Sequence, residues 1–260
     1  MEKWTGELAA PPFWLDPANE VTVNPPKMPK GAFVIACIQA LMKRGLPLQT
    51  AIEVAANTMN ETGWGQFYRA WNLGGWKITK GTARDDRGIM RKWWRALGNK
   101  SSGDSQTCFY RAFDSLEHFF NAWIKTFFST DPKSRYFKTG EQARAGEEWF
   151  DDLIAAGYKG AVTQRNPLPS MREHASIIKS IMVFYAQFVF GLEVDGKWGP
   201  KSRAACEKFQ AAHGLPLTGR LDEATLEALT DGRATKAVAT VTPLLAANDD
   251  AEDDDVAVAA

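Results

Sequence analysis

One stretch constrains the fold of this chain more than any other: Gly191-Leu192-Glu193-Val194-Asp195-Gly196-Lys197-Trp198-Gly199-Pro200-Lys201-Ser202, then Phe209-Gln210, Gly214-Leu215, Thr218-Gly219 and Leu221-Asp222. Each part has its own structural job at a fixed offset. Asp195-Gly196 makes a turn, and Gly199-Pro200 starts a helix with proline where its missing N–H costs nothing. Asp222 is positioned to cap a final helix carrying Leu226 and Leu229. The expectation is a small three-helix unit over residues 179–230, with a generic helical hairpin as the plainer alternative.

The 260 residues suit one domain of about 150 residues plus one of about 50, with ends left over. The boundaries read as a proline-rich arm over 1–30, a main domain over 31–178, the small unit over 179–230 and an acidic, alanine-rich tail over 231–260 for which disorder is the default. Apolar residues make up 45% of the chain and ten are tryptophan, ample for a core. Net charge is zero, but the six acids of 248–260 leave 31 basic against 25 acidic residues elsewhere, so the folded part is basic. That surplus favours encounter with anionic polymers and equally serves plain solubility.

Several function classes lose ground on residue usage. Cys37, Cys108 and Cys206 form an odd set with no Cys-x-x-Cys spacing, so reduced thiols are expected, with Cys37 and Cys206 in the core. His118, His174 and His213 are scattered, which argues against a cysteine–histidine peptidase and against zinc, so no metal and no cofactor are expected. Basic residues interleave with aromatics through Lys77, Lys80, Arg84, Arg87, Arg91, Lys92, Trp93, Trp94 and Arg95, but no nucleic-acid motif accompanies them. The apolar stretch 177–190 is too short for a bilayer and is interrupted by Lys179 and Gln187, so no stable membrane insertion is expected. The first residues lack the basic and apolar blocks of a secretory signal, which suggests cytoplasmic synthesis.

Helical periodicity organises most of the main domain. A helix is expected over 31–44, stopped by Gly45, and a second opens at Pro47 with Leu48, Ile52, Ala55 and Met59 facing inward. From 76 to 110 the helical pattern fails, and an irregular β lobe is expected. Asp114 with Glu117 reads as a capping box for a helix whose buried stripe is Leu116, Phe119, Phe120, Trp123 and Phe127. A further helix over about 141–156 ends at Gly157. Ser170 with Glu173 then caps a helix running toward Phe190.

The second helix delivers Asn60-Glu61-Thr62-Gly63-Trp64-Gly65-Gln66 and, just beyond, Trp71-Asn72-Leu73-Gly74-Gly75-Trp76-Lys77. A carboxyl at a helix C-terminus, flanked by indoles, is pushed toward its neutral form, as a general acid requires. Trp64, Trp71 and Trp76 offer flat faces for pyranose rings. Taken alone, such a window more commonly describes a capping or solvated acid among core tryptophans.

The order of these residues resembles the glucosaminidase family, glycoside hydrolase family 73, in which Glu-Ser/Thr-Gly-Trp-Gly carries the catalytic acid. The block 72–77 is similar to that family's Asn-Leu-Phe-Gly-Ile-Lys with the aromatic displaced. Phe109-Tyr110-Arg111-Ala112-Phe113-Asp114-Ser115 and Ala155-Ala156-Gly157-Tyr158 echo later segments, so the resemblance spans about 32–180. The stretch 191–222 resembles the small three-helix peptidoglycan-binding domain. Together these resemblances imply a mainly α, lysozyme-like catalytic domain with a small β lobe, followed by a wall-binding domain, as in a phage endolysin released through a membrane lesion made by another protein. They imply hydrolysis of β-1,4 bonds in peptidoglycan glycan strands by a monomer, with Glu61 as acid and Trp64, Asn72, Trp76, Lys77 and Tyr158 at the substrate.

A glycosidase normally uses two carboxyls. Family members often carry the second in the β lobe, where this chain reads Met90-Arg91-Lys92-Trp93-Trp94-Arg95-Ala96-Leu97 without an acid. Asp85, Asp86 and Asp104 are the remaining lobe acids, Asp104 the favoured one. Alternatively the substrate's N-acetyl group acts as nucleophile and Glu61 works alone. A muramidase or lytic transglycosylase, and a non-catalytic wall-binding or virion-structural protein, are the competing readings.

Overall fold

The computed structural model describes residues 4–98, 105–158 and 168–230, with the side chains of 168 and 169 left aside. Asp104 and the tail over 231–260 lie outside the described residues. The chain divides into two compact units, Met1–Ile177 and Ile178–Ala260. The architecture is mainly helical with one small two-stranded sheet.

In the first unit, α1 (Lys30–Met42) buries Phe33, Val34, Cys37, Ile38 and Leu41, apolar on most of its circumference because neighbours surround it. α2 (Leu48–Thr62) packs on it, with Pro47 just outside the first turn and Ile52, Ala55 and Met59 fully buried. α3 (Leu116–Phe127) also meets α1 and buries the stripe Leu116, Phe119, Phe120, Trp123 and Phe127. Its cap is Ser115, whose hydroxyl accepts the His118 N–H, so the expected cap at Asp114 is displaced by one residue. Asp114 instead accepts from Lys92, which holds its carboxyl below the usual range.

The single helix expected over 141–156 is two. α4 (Phe137–Ala145) ends at Gly146, which adopts φ 75°, and α5 (Phe150–Ala155) begins after the turn. Packing also fixes a glycine within α4. A Cβ at Gly140 would come within 2.7 Å of the Phe128 carbonyl carbon and the Ser129 oxygen, so α4 crosses that backbone at a distance only glycine allows. α6 (Leu168–Val189) starts before Ser170, which therefore sits inside the helix rather than capping it.

The sheet pairs β1 (Trp93–Leu97) antiparallel with β2 (Thr107–Arg111), Trp94 opposite Tyr110. Most of 76–92 is irregular, apart from a short 3-10 turn at Lys80–Thr82. The N-terminal arm is stitched to this lobe. Val21 N–H donates to Trp93 O at 2.7 Å, the Trp93 indole N–H donates to Asp16 O at 2.9 Å, and Leu15 is buried against Ile78, Ala83 and Trp93.

The second unit contains the end of α6, α7 (Pro200–Ala212) and α8 (Glu223–Thr230) around Ile181, Phe190, Cys206, Phe209 and Leu229. Asp222 Oδ1 accepts the Thr225 N–H, the cap the sequence suggests. Two buried glutamines repeat one another. Gln187 Nε2 contacts Asp195 Oδ1 at 2.7 Å and Lys197 O at 2.9 Å, and its Oε1 accepts Gly196 N–H. Gln210 Nε2 contacts Thr218 Oγ1 at 2.9 Å and Arg220 O at 3.0 Å, and its Oε1 accepts Gly219 N–H. Corresponding residues are 23 positions apart (187 and 210, 191 and 214, 196 and 219, 202 and 225), so the unit is built from two copies of one helix-and-turn device. Among the described residues no helix is long and apolar enough to cross a membrane.

Candidate functional site

The last turn of α2 and the loop after it form the floor of a groove in the first unit. Thr62 closes the helix: its hydroxyl donates to Thr58 O at 2.7 Å and accepts Gly65 N–H at 3.0 Å. Gly63 and Gly65 take φ 54° and 79°. A Cβ on Gly63 would meet the Phe67 ring at 2.5 Å, and one on Gly65 would meet the Phe33 ring at 2.5 Å. Gly65 is thus required twice, by backbone conformation and by the buried Phe33 ring, and Gly63 by backbone conformation, since the exposed Phe67 ring can swing aside.

The same loop carries strain. Trp64, Ala70 and Trp71 have φ of 59°, 47° and 53°, a region costly to residues with a Cβ, by about 1–2 kcal/mol each. Surrounding contacts hold it. Asn72 is 4% exposed; its amide donates to Trp76 O and Arg111 O, and its carbonyl accepts Trp76 N–H, each at 2.9 Å. Tyr68 stacks on Phe33 at 5.4 Å and on Trp71 at 5.5 Å.

The groove has a volume of about 760 Å³, within the range of small-molecule pockets. Glu61 lines it and is exposed. Gln66, Phe67, Tyr68, Arg69 and Asn72 come from the loop, Trp94 and Tyr110 from the sheet, and Leu8, Asn24 and Lys27 from the N-terminal arm. Trp94 and Tyr110 stack at 4.4 Å and 15°, and Phe67 is 77% exposed, a large apolar face held in water. Glu61 is the one carboxylate among these described lining residues.

The tryptophans singled out from sequence are used elsewhere. Trp64 has the Lys30 ammonium 4.0 Å over its ring, and Trp76 packs edge-on against Phe113 and Phe127 with the Arg111 guanidinium 4.9 Å over it. Neither is among the groove-lining residues. Lys77 is exposed and its backbone bridges to Tyr110. Asn72 reaches the lining, but its amide is spent on the backbone.

Tyr158 follows α5 and is buried, with its hydroxyl 2.6 Å from Asn57 Nδ2 on α2, one turn before Glu61. Burial, and after it the charge of Glu61, hold this phenol above its ordinary range. The charge of Glu61 thus reaches Tyr158, although Tyr158 is not among the groove-lining residues.

The lobe acids have local duties. Asp85 accepts N–H bonds from Ile89 and Arg87, which keep its carboxyl below the usual range, and Asp86 accepts from Lys125 with the same result. Neither lines the groove. All three cysteines are free and buried. Among the described residues no cluster of three or more His, Cys, Asp or Glu could hold a metal ion.

Sequence reasoning missed Phe67, Trp94, Tyr110, Lys27 and Arg69. Phe67 carried a signal, a large apolar side chain two residues after a Gly-Trp-Gly turn. The others converge from positions 27, 69, 94 and 110, a juxtaposition no local pattern encodes.

A family model described as a peptidoglycan binding domain matches residues 184–229. The chain thus carries a peptidoglycan-binding domain, which associates it with the cell wall. Comparison with curated proteins and with solved structures gave no match.

Proposed function

We propose that the first unit is a glycoside hydrolase acting on β-1,4 bonds of peptidoglycan glycan strands, with Glu61 as general acid, in the manner of an endo-β-N-acetylglucosaminidase and in the role of an endolysin. The observation that carries this reading is Glu61 itself, lining an aromatic groove at the C-terminal end of α2. Phe67, Trp94 and Tyr110 offer the flat faces that pyranose rings stack on. The peptidoglycan-binding domain at 184–229 supplies the polymer at high local concentration.

In this scheme a bound strand excludes water from around Glu61. The helix C-terminus and the loss of solvent then favour the protonated carboxyl. Glu61 gives its proton to the glycosidic oxygen as the C1–O bond breaks. In a one-carboxylate route the acetamido oxygen of the substrate attacks C1 and water later opens the ring so formed. Asp104 is the second carboxylate if a two-acid route operates.

The same single carboxylate favours a second reading, a muramidase or lytic transglycosylase on the same polymer. Mass spectrometry of fragments released from purified sacculi decides between them. Reducing N-acetylglucosamine ends support the first, reducing or anhydro-muramic ends the second. Binding to sacculi with no released sugar, in the parent as in Glu61→Gln, would leave a wall-binding protein without catalysis.

A further inference from the structure

The groove contains more positive charge than a neutral sugar requires. Lys27, Arg69 and Arg95 all line it. Arg95 is engaged, its Nε 2.8 Å from Glu20 Oε1 and its Nη1 donating to Ala9 O. Lys27 and Arg69 are held differently. The Lys27 ammonium donates one hydrogen bond to Tyr68 O at 3.1 Å and lies 4.0 Å above the Tyr68 ring, so two of its N–H groups remain to be used. The Arg69 guanidinium lies 5.8 Å from the centre of the Trp94 ring, itself stacked on Tyr110.

These two cations are neighbours. Burial and then the charge of Arg69 lower the Lys27 pKa, so the guanidinium disfavours the charged ammonium beside it in the free protein. An arrangement that opposes itself electrostatically is relieved when an anion enters between its members. Both cations rest on rigid aromatic supports, since Tyr68 is clamped between Phe33 and Trp71, so little ordering is needed to receive one.

We propose that Lys27 and Arg69 form an anion subsite that reads a carboxylate on the muramic acid units of the strand, making the groove selective for peptidoglycan over uncharged polymers of N-acetylglucosamine. This rests on the reading of the groove as a glycan cleft. The carboxylate has two sources, the lactyl group of muramic acid when its peptide is removed, or the stem peptide when it is present. Arg69 supplies a planar fork suited to a carboxylate, and Lys27 supplies a point charge from the N-terminal arm.

The test uses the full chain carrying Glu61→Gln, so that ligands are not consumed. Fluorescence anisotropy measures binding of three labelled oligosaccharides: neutral chitotetraose, peptide-free strands with lactyl carboxylates, and strands bearing stem peptides. The expected result is a preference for the anionic ligands that falls tenfold or more in Lys27→Gln/Arg69→Gln, with Lys27→Arg restoring part of it. Raising salt weakens anionic binding in the parent more than in the double variant. Loss confined to the peptide-free strands assigns the lactyl carboxylate, and loss confined to the peptide-bearing strands assigns the stem peptide. An unchanged ratio of anionic to neutral affinity would overturn the subsite. Hydrolysis by the protein with Glu61 intact is scored separately, so a failed catalytic reading and a failed anion subsite give different results.

Discussion

Asn57 donates a 2.6 Å hydrogen bond to the Tyr158 hydroxyl, joining the α2 turn that precedes Glu61 to the turn after α5. The bond is buried and links positions 101 residues apart. Tyr158→Phe removes the acceptor and leaves a buried amide without its partner, at a cost of about 1–3 kcal/mol. Urea denaturation of Tyr158→Phe, Asn57→Ala and the double variant should give a coupling of about 1 kcal/mol between the two sites. Additive effects would mean that the pair contributes packing alone.

Phe67 offers a sharper separation of stability from function. Its ring is 77% exposed, so Phe67→Ala should change folding stability by no more than about 0.5 kcal/mol. If sugar rings stack on it, the same change should weaken turnover of sacculi about 5- to 30-fold, chiefly in KM, because one stacked ring contributes about 1–2 kcal/mol. An unaltered KM would take the glycan off this part of the groove.

Local chemistry made much of this molecule legible. The positive φ of Gly63 and Gly65, the Asp195-Gly196 turn and the Asp222 cap are all short-range demands, and each can be read from a few adjacent residues. Three boundaries could not be read that way. The helix expected over 141–156 is split at Gly146, which turns left-handed, and α4 starts earlier and runs tightly past Phe128 and Ser129 at Gly140, a tertiary contact. Ser115 takes the cap, while the Asp114 carboxylate pairs with Lys92, 22 residues earlier. Ser170 lies inside α6, since the helix begins two residues before it. The site divides in the same manner. Glu61 was visible, whereas the lining by Trp94, Tyr110 and the arm depends on the register of β1 with β2 and on Val21 pairing with Trp93. The 23-residue repeat of the second unit was present in the sequence, but its meaning emerges only when Gln187 and Gln210 are seen making equivalent bonds.

Those two glutamines carry a prediction about wall binding. Each is almost fully buried and each satisfies a turn through both ends of its amide. Gln187→Ala or Gln210→Ala leaves buried carbonyl and N–H groups unsatisfied, and each should cost about 2–4 kcal/mol. The two losses should be similar, since the copies are equivalent. Sacculus pull-down should fall in parallel while the unfolding midpoint of the first unit stays constant. A wall affinity that survives both changes would detach binding from these turns.

The first unit should also be sensitive to alkali, through Cys37. This thiol is 0% exposed in α1, and burial raises its pKa far above the ordinary value of about 9. The folded protein therefore keeps a proton that the unfolded chain releases. Stability from this group is complete below about pH 9 and is lost as pH rises beyond it, with a slope of at most about 1.4 kcal/mol per pH unit. Tyr158 adds a second loss of the same sign above its ordinary value of 10, because burial and Glu61 raise it as well. Denaturant midpoints of the first unit measured from pH 8 to pH 10.5 should fall with increasing steepness. Cys37→Ala should flatten the curve between pH 9 and 10 whatever it does to absolute stability, since it deletes the proton and not only the packing. An identical slope in the two proteins would show that Cys37 ionises equally in both states, and hence that α1 opens to solvent before the rest of the unit unfolds.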